Sequence, residues 1–337
     1  MSRPSFTEAL NSRPWLLADG APGTNYFQLG LVSGDAPEMW NFEHPDRVRQ
    51  LHKEFIDAGA DIVLTNSFGG NRHRLKLHDA QDRVREVNLA AAKNARAEAD
   101  AAGRPVYVGG SVGPTGEIFE PVGTFPYAEG VAAFEEQAHA LKEGGVDVIW
   151  IETMSSEEEL RAAVEGAAKA GLPIVTTMSF DTNGRTMMGI TPQAFGKLAG
   201  ELAVMPVAIG ANCGVGASEL VATVMGIAAA RPDAFIVAKG NCGIPQYHDG
   251  HIHYTGTPEL MADYARIALD AGARIIGGCC GTSPEHLASM RKALEGYTKG
   301  AKPTVEYVEE KLGAVSELAK GVDTAAAGAA RRERRRS

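Results

Sequence analysis

The sequence predicts a single α/β domain of the (β/α)8 TIM-barrel class, closed by parallel strands and carrying a flexible basic tail. Three observations predict it. A phrase of amphipathic helix, glycine and β-branched run recurs along the chain, as in Phe55-Ile56-Asp57-Ala58-Gly59-Ala60-Asp61-Ile62-Val63-Leu64 and again around Gly144, Gly171 and Gly272. Each apolar run is short and continuous, as expected of parallel strands covered by helices on the outside. The residues that follow these runs are almost uniformly polar or glycine, which places one chemical rim at the C-terminal ends of the strands.

Eight runs read as strands, near Trp15–Ala18, Asp61–Thr65, Val106–Gly109, Asp147–Ile151, Pro173–Met178, Pro206–Ile209, Phe235–Ala238 and Arg274–Ile276. Glycine ends the preceding helix in the recurring phrases because it tolerates the left-handed conformation of a C-terminal cap. The helix before Gly59 shows its buried stripe in Val48, Leu51 and Phe55 after a Pro45-Asp46 start. An open doubly wound sheet would want a glycine-rich dinucleotide fingerprint after the first strand. Asp19-Gly20-Ala21-Pro22-Gly23-Thr24 lacks that spacing, and Pro22 reads as wrong for an opening helix turn. The barrel domain is expected over 1–314. The remainder, 315–337, ends in alanines and Arg331-Arg332-Glu333-Arg334-Arg335-Arg336 and reads as a disordered tail.

The 337 residues carry a formal net charge of -9, with 44% hydrophobic and 22% charged residues. That balance suits a soluble globular protein and argues against nucleic acid as the main partner. No run is long enough to cross a bilayer, and Met1-Ser2-Arg3-Pro4-Ser5 is followed by no apolar signal region, so neither a membrane nor secretion is expected. Four cysteines with no secreted-type framework fit a reducing cytoplasm. A homo-oligomer is compatible with this composition.

The chemistry gathers around Gly277-Gly278-Cys279-Cys280-Gly281-Thr282, a glycine loop between the last strand and the helix start Ser283-Pro284-Glu285-His286. Adjacent cysteines make a strained disulfide and a poor core, whereas thiolates beside glycines are good ligands for zinc. Cys213 has the same setting in Ala211-Asn212-Cys213-Gly214. Cys213, Cys279 and Cys280 therefore read as three ligands of a Zn2+ ion with one position open, the pattern of a catalytic site. Cys242 reads as small loop filler, with a place in the metal site or a disulfide to a zinc cysteine as alternatives. His248, His251 and His253 around Asp249 read as a loop of surface histidines rather than a second metal site, because their spacing matches no regular face.

Asp19-Gly20, Gly59-Ala60-Asp61-Ile62, Gly110-Ser111-Val112-Gly113-Pro114, Glu152-Thr153, Asn212-Cys213-Gly214 and the double-cysteine loop together resemble the homocysteine S-methyltransferase family, over roughly Trp15 to Leu294. Within it the wording is most similar to the bacterial cobalamin-independent betaine–homocysteine methyltransferases. The resemblance implies that the three cysteines hold zinc and that the fourth position receives the homocysteine sulfur. It further implies that Asp19 and Glu152 hold the substrate ammonium and that backbone amides at Gly20 and Ala21 hold its carboxylate.

A free thiol has a pKa of about 8.5, so zinc would keep the sulfur as thiolate at neutral pH. The methyl donor is then expected to be an onium compound, betaine first, with S-methylmethionine or another sulfonium as alternatives. A corrinoid partner protein as methyl source, and a non-catalytic zinc- or thiol-binding barrel, are the readings from other classes. Tyr26, Phe27, Trp40, Phe68 and Tyr247 offer aromatic faces for an onium methyl group. Vertebrate betaine enzymes carry tyrosines at the positions of Gly69 and Thr153, a departure in this chain. Asn66, Asn212 and Asn241 either orient substrate or satisfy loop backbone. Lys239 ends the seventh strand and is a further candidate for a substrate carboxylate.

Overall fold

A computed structural model of the chain describes residues 3–243, 245–248, 251–317 and 319–320. The side chains of 245–248 and 251–253 lie outside the described set. Eight parallel strands form one sheet: β1 (Leu16–Leu17), β2 (Ile62–Leu64), β3 (Tyr107–Val112), β4 (Val148–Met154), β5 (Ile174–Met178), β6 (Ala208–Cys213), β7 (Ile236–Gly240) and, after a hairpin of β8 (Pro245–His248) and β9 (His251–Tyr254), β10 (Ala273–Gly278). Neighbours run β1-β10-β7-β6-β5-β4-β3-β2. A parallel bridge between Ala18 and Ile62 brings β2 back to β1. The TIM barrel expected from the repeating phrase is the fold.

Several strands run farther toward the rim than their apolar residues indicate. β4 continues through Glu152 and Thr153, β6 through Asn212 and Cys213, and β10 through Gly277 and Gly278. Polar side chains end an apolar run in the sequence, but ladder hydrogen bonds are indifferent to side-chain polarity, so pairing continues beyond it.

The barrel interior is filled by Leu16, Ile62, Leu64, Tyr107, Trp150, Val175, Val237 and Ile275. A helix at Phe6–Ser12, absent from the strand-based reading, closes the lower end by placing Phe6, Ala9 and Leu10 in this same cluster. Ser5 caps it, accepting from the Glu8 N–H at 3.2 Å while Glu8 accepts from the Ser5 N–H at 2.7 Å. This reciprocal box satisfies two of the otherwise orphaned donors of a helix start. The larger second core lies between strands and outer helices, with Val48, Leu51 and Phe55 of the Pro45–Asp57 helix in it as their spacing predicts.

Two readings are corrected here. Pro22 opens a helix, Pro22–Gln28, at its first position. A first-turn N–H has no intrahelical acceptor, so proline loses nothing there. The histidine segment is an antiparallel hairpin rather than a loop, pairing His248 with His251 and Gln246 with His253. The side chains of the three histidines, and Asp249 as a whole, lie outside the described residues. No helix among the described residues is long and apolar enough to cross a membrane. Of the expected tail, Val315 is buried and the Ser316 N–H donates to Glu219 at 2.6 Å, while 321–337 lie outside the described residues.

Candidate metal centre

β7 lies between β6 and β10 in the sheet. Two strand spacings, about 9.5 Å, therefore separate the backbones that carry Cys213 and the Cys279-Cys280 pair. The sulfurs meet because the backbone departs from the strand line at the rim. Cys213 sits at φ 61°, a left-handed conformation rare outside glycine. The Cys279 N–H donates to the Gly240 carbonyl at 2.7 Å, and the Cys242 N–H to the Cys280 carbonyl at 2.9 Å, tying the double-cysteine loop to the end of β7. The sulfurs of Cys213, Cys279 and Cys280 all lie within 4.8 Å of one another, with Cys213 and Cys280 at 4.0 Å.

The donor set fits a zinc ion. Tetrahedral thiolates at zinc bond lengths stand about 3.8 Å apart, so contraction of a few tenths of an ångström to about 1 Å would complete the triangle. To serve as ligands the thiols must lose their protons, and here that takes a cation. Cys213 is pushed up to about 12: a hydrogen bond with Cys279 pulls it down, but the hydrogen bond to Cys280, burial and the Cys280 charge outweigh it. Hydrogen bonding to Cys213 and burial push Cys279 up as well. Three sulfurs this close ionise together only with positive charge among them. Cys242 is fully buried, lies outside this triangle and packs against Gly256, where an added Cβ would stand 2.7 Å from its sulfur. Burial outside the cluster is compatible with the reading of Cys242 as loop filler.

Asn212 and Asn241 are spent on the loops. Asn212 Oδ1 accepts from the Thr153 N–H at 2.9 Å and the Thr177 hydroxyl at 2.6 Å, and its Nδ2 donates to Thr153 Oγ1 at 2.7 Å. These bonds hold Thr153, a β-branched residue, at φ 65°. Such strain persists only where surrounding contacts over-determine it. Asn241 Oδ1 accepts from the Cys280 N–H at 3.1 Å, and its Nδ2 donates to the Gly214 carbonyl at 2.7 Å. Asn66 Nδ2 likewise donates to the Pro37 carbonyl at 2.7 Å.

A cavity of about 610 Å3 opens beside the sulfurs, lined by Gly20, Ala21, Ser111, Glu152, Lys239 and the three cysteines among others. Glu152 accepts from Ser111 Oγ at 2.5 Å. Asp19 lies one layer deeper. Its Oδ1 accepts from Lys239 Nζ at 2.8 Å and its Oδ2 from the Leu64 N–H at 2.7 Å. Lys239 thus meets an acid of the chain itself, only 2% exposed beside a fully buried Asp19. Burial pushes both carboxyls up, and the Lys239 ammonium pulls both back. Gly20 carries no Cβ because one would stand 2.4 Å from the Thr282 carbonyl.

The aromatic expectations divide. Phe27 and Phe68 line the cavity. Tyr26 and Trp40 do not: both are buried, with ring centroids 5.4 Å apart, and they pack in the core. Tyr247 lies among the residues whose side chains are not described. Two residues escaped the sequence reading. Tyr254, on β9, packs its side chain against Gly281 beside the double-cysteine loop and, after Cys213, helps to pull the raised Cys280 thiol down. Glu38 lines the cavity and is only 6% exposed. Nothing local distinguishes Glu38 from an ordinary acid following a proline at a helix start.

A parallel barrel with three convergent thiols and a cavity beside them at its C-terminal rim defines a class, the barrel proteins with a rim cysteine cluster that could hold a metal. Residues 16–294 match the family model described as homocysteine S-methyltransferase, and the chain belongs to that family. A methionine synthase of Mycobacterium tuberculosis is 31% identical over 299 residues, covering 83% of this chain. The chain spans 24% of the length of that relative. Among solved structures, the metallated form of MmuM, a homocysteine methyltransferase from Escherichia coli, superposes with a TM-score of 0.70 at 23% identity, over 85% of this chain and 98% of that one. Its apo form gives 0.65 at 21% identity, over 84% and 97%. These likenesses show a shared fold.

Proposed function

We propose that the protein transfers a methyl group from an onium donor, betaine in the first instance, to the thiolate of L-homocysteine, giving methionine. The observation that carries this is the meeting of the Cys213, Cys279 and Cys280 sulfurs beside the cavity. These three residues would hold zinc, which when bound keeps the homocysteine sulfur as a thiolate at neutral pH.

Glu152 is the carboxylate placed to take the substrate ammonium, with Ser111 orienting it and Lys239 balancing its charge. Asp19 supports that work through Lys239, since both of its oxygens are engaged. A direct contact between Asp19 and the ammonium, as the family resemblance implies, requires Lys239 to give way. The backbone amides of Gly20 and Ala21 serve the substrate carboxylate at the cavity wall. Asn212 and Asn241 keep the cysteine loops in position.

The thiol proton leaves to solvent water on binding, the new S–CH3 bond forms in line, and the donor's C–N or C–S bond breaks with its electron pair retained by the neutral amine or sulfide. An anion and a cation become neutral products, so a dry cavity lowers the barrier once binding has offset desolvation. The barrel over 1–314 carries this chemistry, with 315–337 an appended tail. A reducing compartment, the cytoplasm, suits its four free thiols.

The test is to load the protein with zinc, supply homocysteine and a panel of ammonium and sulfonium donors, and assay methionine. Methionine from one small donor supports the reading. Tight binding of metal and homocysteine with no methionine would make the barrel a non-catalytic thiol-binding module. The match to one quarter of a longer methionine synthase favours a second reading, in which a corrinoid partner protein delivers the methyl group. Turnover only on adding such a protein would select it.

A further inference from the structure

We infer that Glu38 is the counter-ion of the methyl donor, so that this chain recognises the donor's positive charge with a buried carboxylate as well as with aromatic faces. The inference rests on the onium reading above and names a residue for the donor end of the same cavity.

Glu38 is 6% exposed and lines the cavity that the three cysteines line. Its Oε1 accepts from the Gly69 N–H at 2.6 Å. No Lys, Arg or His of the described residues stands within ion-pair distance of it; Arg74 and His78 act on it only through space. A carboxylate taken this far from water without a cation is costly. Asp61, a buried acid at the bottom of the barrel, is met by Arg13 at 2.9 Å and Arg291 at 3.2 Å. Glu159 and Glu219, buried without an ion pair among the described residues, accept hydrogen bonds from Thr115 and Ser316 and do not line this cavity. Glu38 faces an open cavity instead, and a cationic ligand supplies what the fold does not.

The neighbourhood is shaped around this carboxylate. A Cβ on Gly69 would stand 2.9 Å from Glu38 Oε1, so a side chain at position 69 and the present carboxylate position exclude each other. Phe27 and Phe68 line the same cavity and give the donor its apolar wall. Arg74, at the same lining, forms no ion pair with a described residue and suits the acid group of a zwitterionic donor. Charge is complementary to a small zwitterion, its onium end at Glu38 and its carboxylate end at Arg74.

A counter-ion stabilises the onium ground state more than a transition state in which that charge is disappearing. Its removal should therefore raise the donor KM and leave kcat level or somewhat higher, never lower. In Glu38→Gln the side-chain oxygen still accepts from Gly69, so the loop keeps its hydrogen bond. Steady-state kinetics of the zinc-loaded variant should show the donor KM raised about 10- to 100-fold, kcat level or up to about threefold higher and the homocysteine KM unchanged. Glu38→Asp should recover part of the loss. Gly69→Ala, which displaces the carboxylate without removing it, should shift the donor KM in the same direction and serves if Glu38→Gln fails to fold.

A second readout is independent of turnover. Tetramethylammonium and glycine betaine, titrated calorimetrically into the protein without homocysteine, should bind the wild type and bind Glu38→Gln at least about tenfold more weakly. Binding of either compound that weakens in Glu38→Gln, with no methionine formed, would count against the proposed reaction and still support the counter-ion. An unchanged donor affinity in Glu38→Gln, an equal rise in the homocysteine KM, or no binding to the wild type would overturn it.

Discussion

At the residue scale, Cys213 carries the most consequence for its size. It reaches the other two sulfurs from a left-handed backbone conformation at the end of β6. Cys213→Ser should reduce bound zinc from one equivalent per chain to less than about a tenth, read by elemental analysis after dialysis. Cys242→Ala should bind a full equivalent and keep its turnover, since Cys242 lies outside the sulfur triangle. Equal metal loss in both variants would redraw the site. Glu152→Gln removes the proposed ammonium partner and leaves Ser111 bonded to an amide. The homocysteine KM should rise about 10- to 100-fold with metal content unchanged. Cys213, Cys279, Cys280 and Glu152 were legible as candidate chemistry because thiols beside glycines, and an acid ending an apolar strand, have few structural uses. Glu38 was not legible, because its meaning comes from burial and from the missing cation.

At the element scale, the join between β1 and β2 and the Pro45–Asp57 helix repay measurement. Asp61 is 2% exposed, accepts from the Leu17 N–H at 3.0 Å, and meets Arg13 and Arg291. It fastens the two strands that close the barrel. Asp61→Ala leaves a backbone donor and partly exposed arginines without their acid, and should cost about 3 kcal/mol in denaturant unfolding.

His52, on the buried face of the helix, has no hydrogen-bond partner at either ring nitrogen, and burial lowers its pKa to about 4. The unfolded chain, with a histidine near its ordinary pKa of about 6.5, binds more protons than the folded one between these values. Stability from this residue is therefore full above about pH 6.5 and falls as pH drops toward 4, by about 3 kcal/mol in all. His52→Leu should flatten that slope in pH-dependent melts; an unchanged slope would assign it to other groups. The helix itself was legible in its apolar stripe. That His52 shares the stripe's burial was not, because histidine fits equally on a wet face.

At the scale of the whole molecule, two cores hold the barrel and the sulfur triangle adds only a rim contact. Chelation should therefore abolish activity, leave the far-ultraviolet circular dichroism unchanged, and be reversed by zinc. Global unfolding on chelation would mean that the metal is structural. By itself the sequence determined the class of fold, since the helix–glycine–strand phrase records a local backbone requirement each time it recurs. It also determined which residue types stand at strand ends. Only the tertiary structure decided which of those side chains meet. The placing of β7 between β6 and β10 brings residues some 66 apart to one point, and Lys239, available in sequence to any carboxylate, is given to Asp19. Such choices depend on through-space distance and on burial, and neither is written in local pattern.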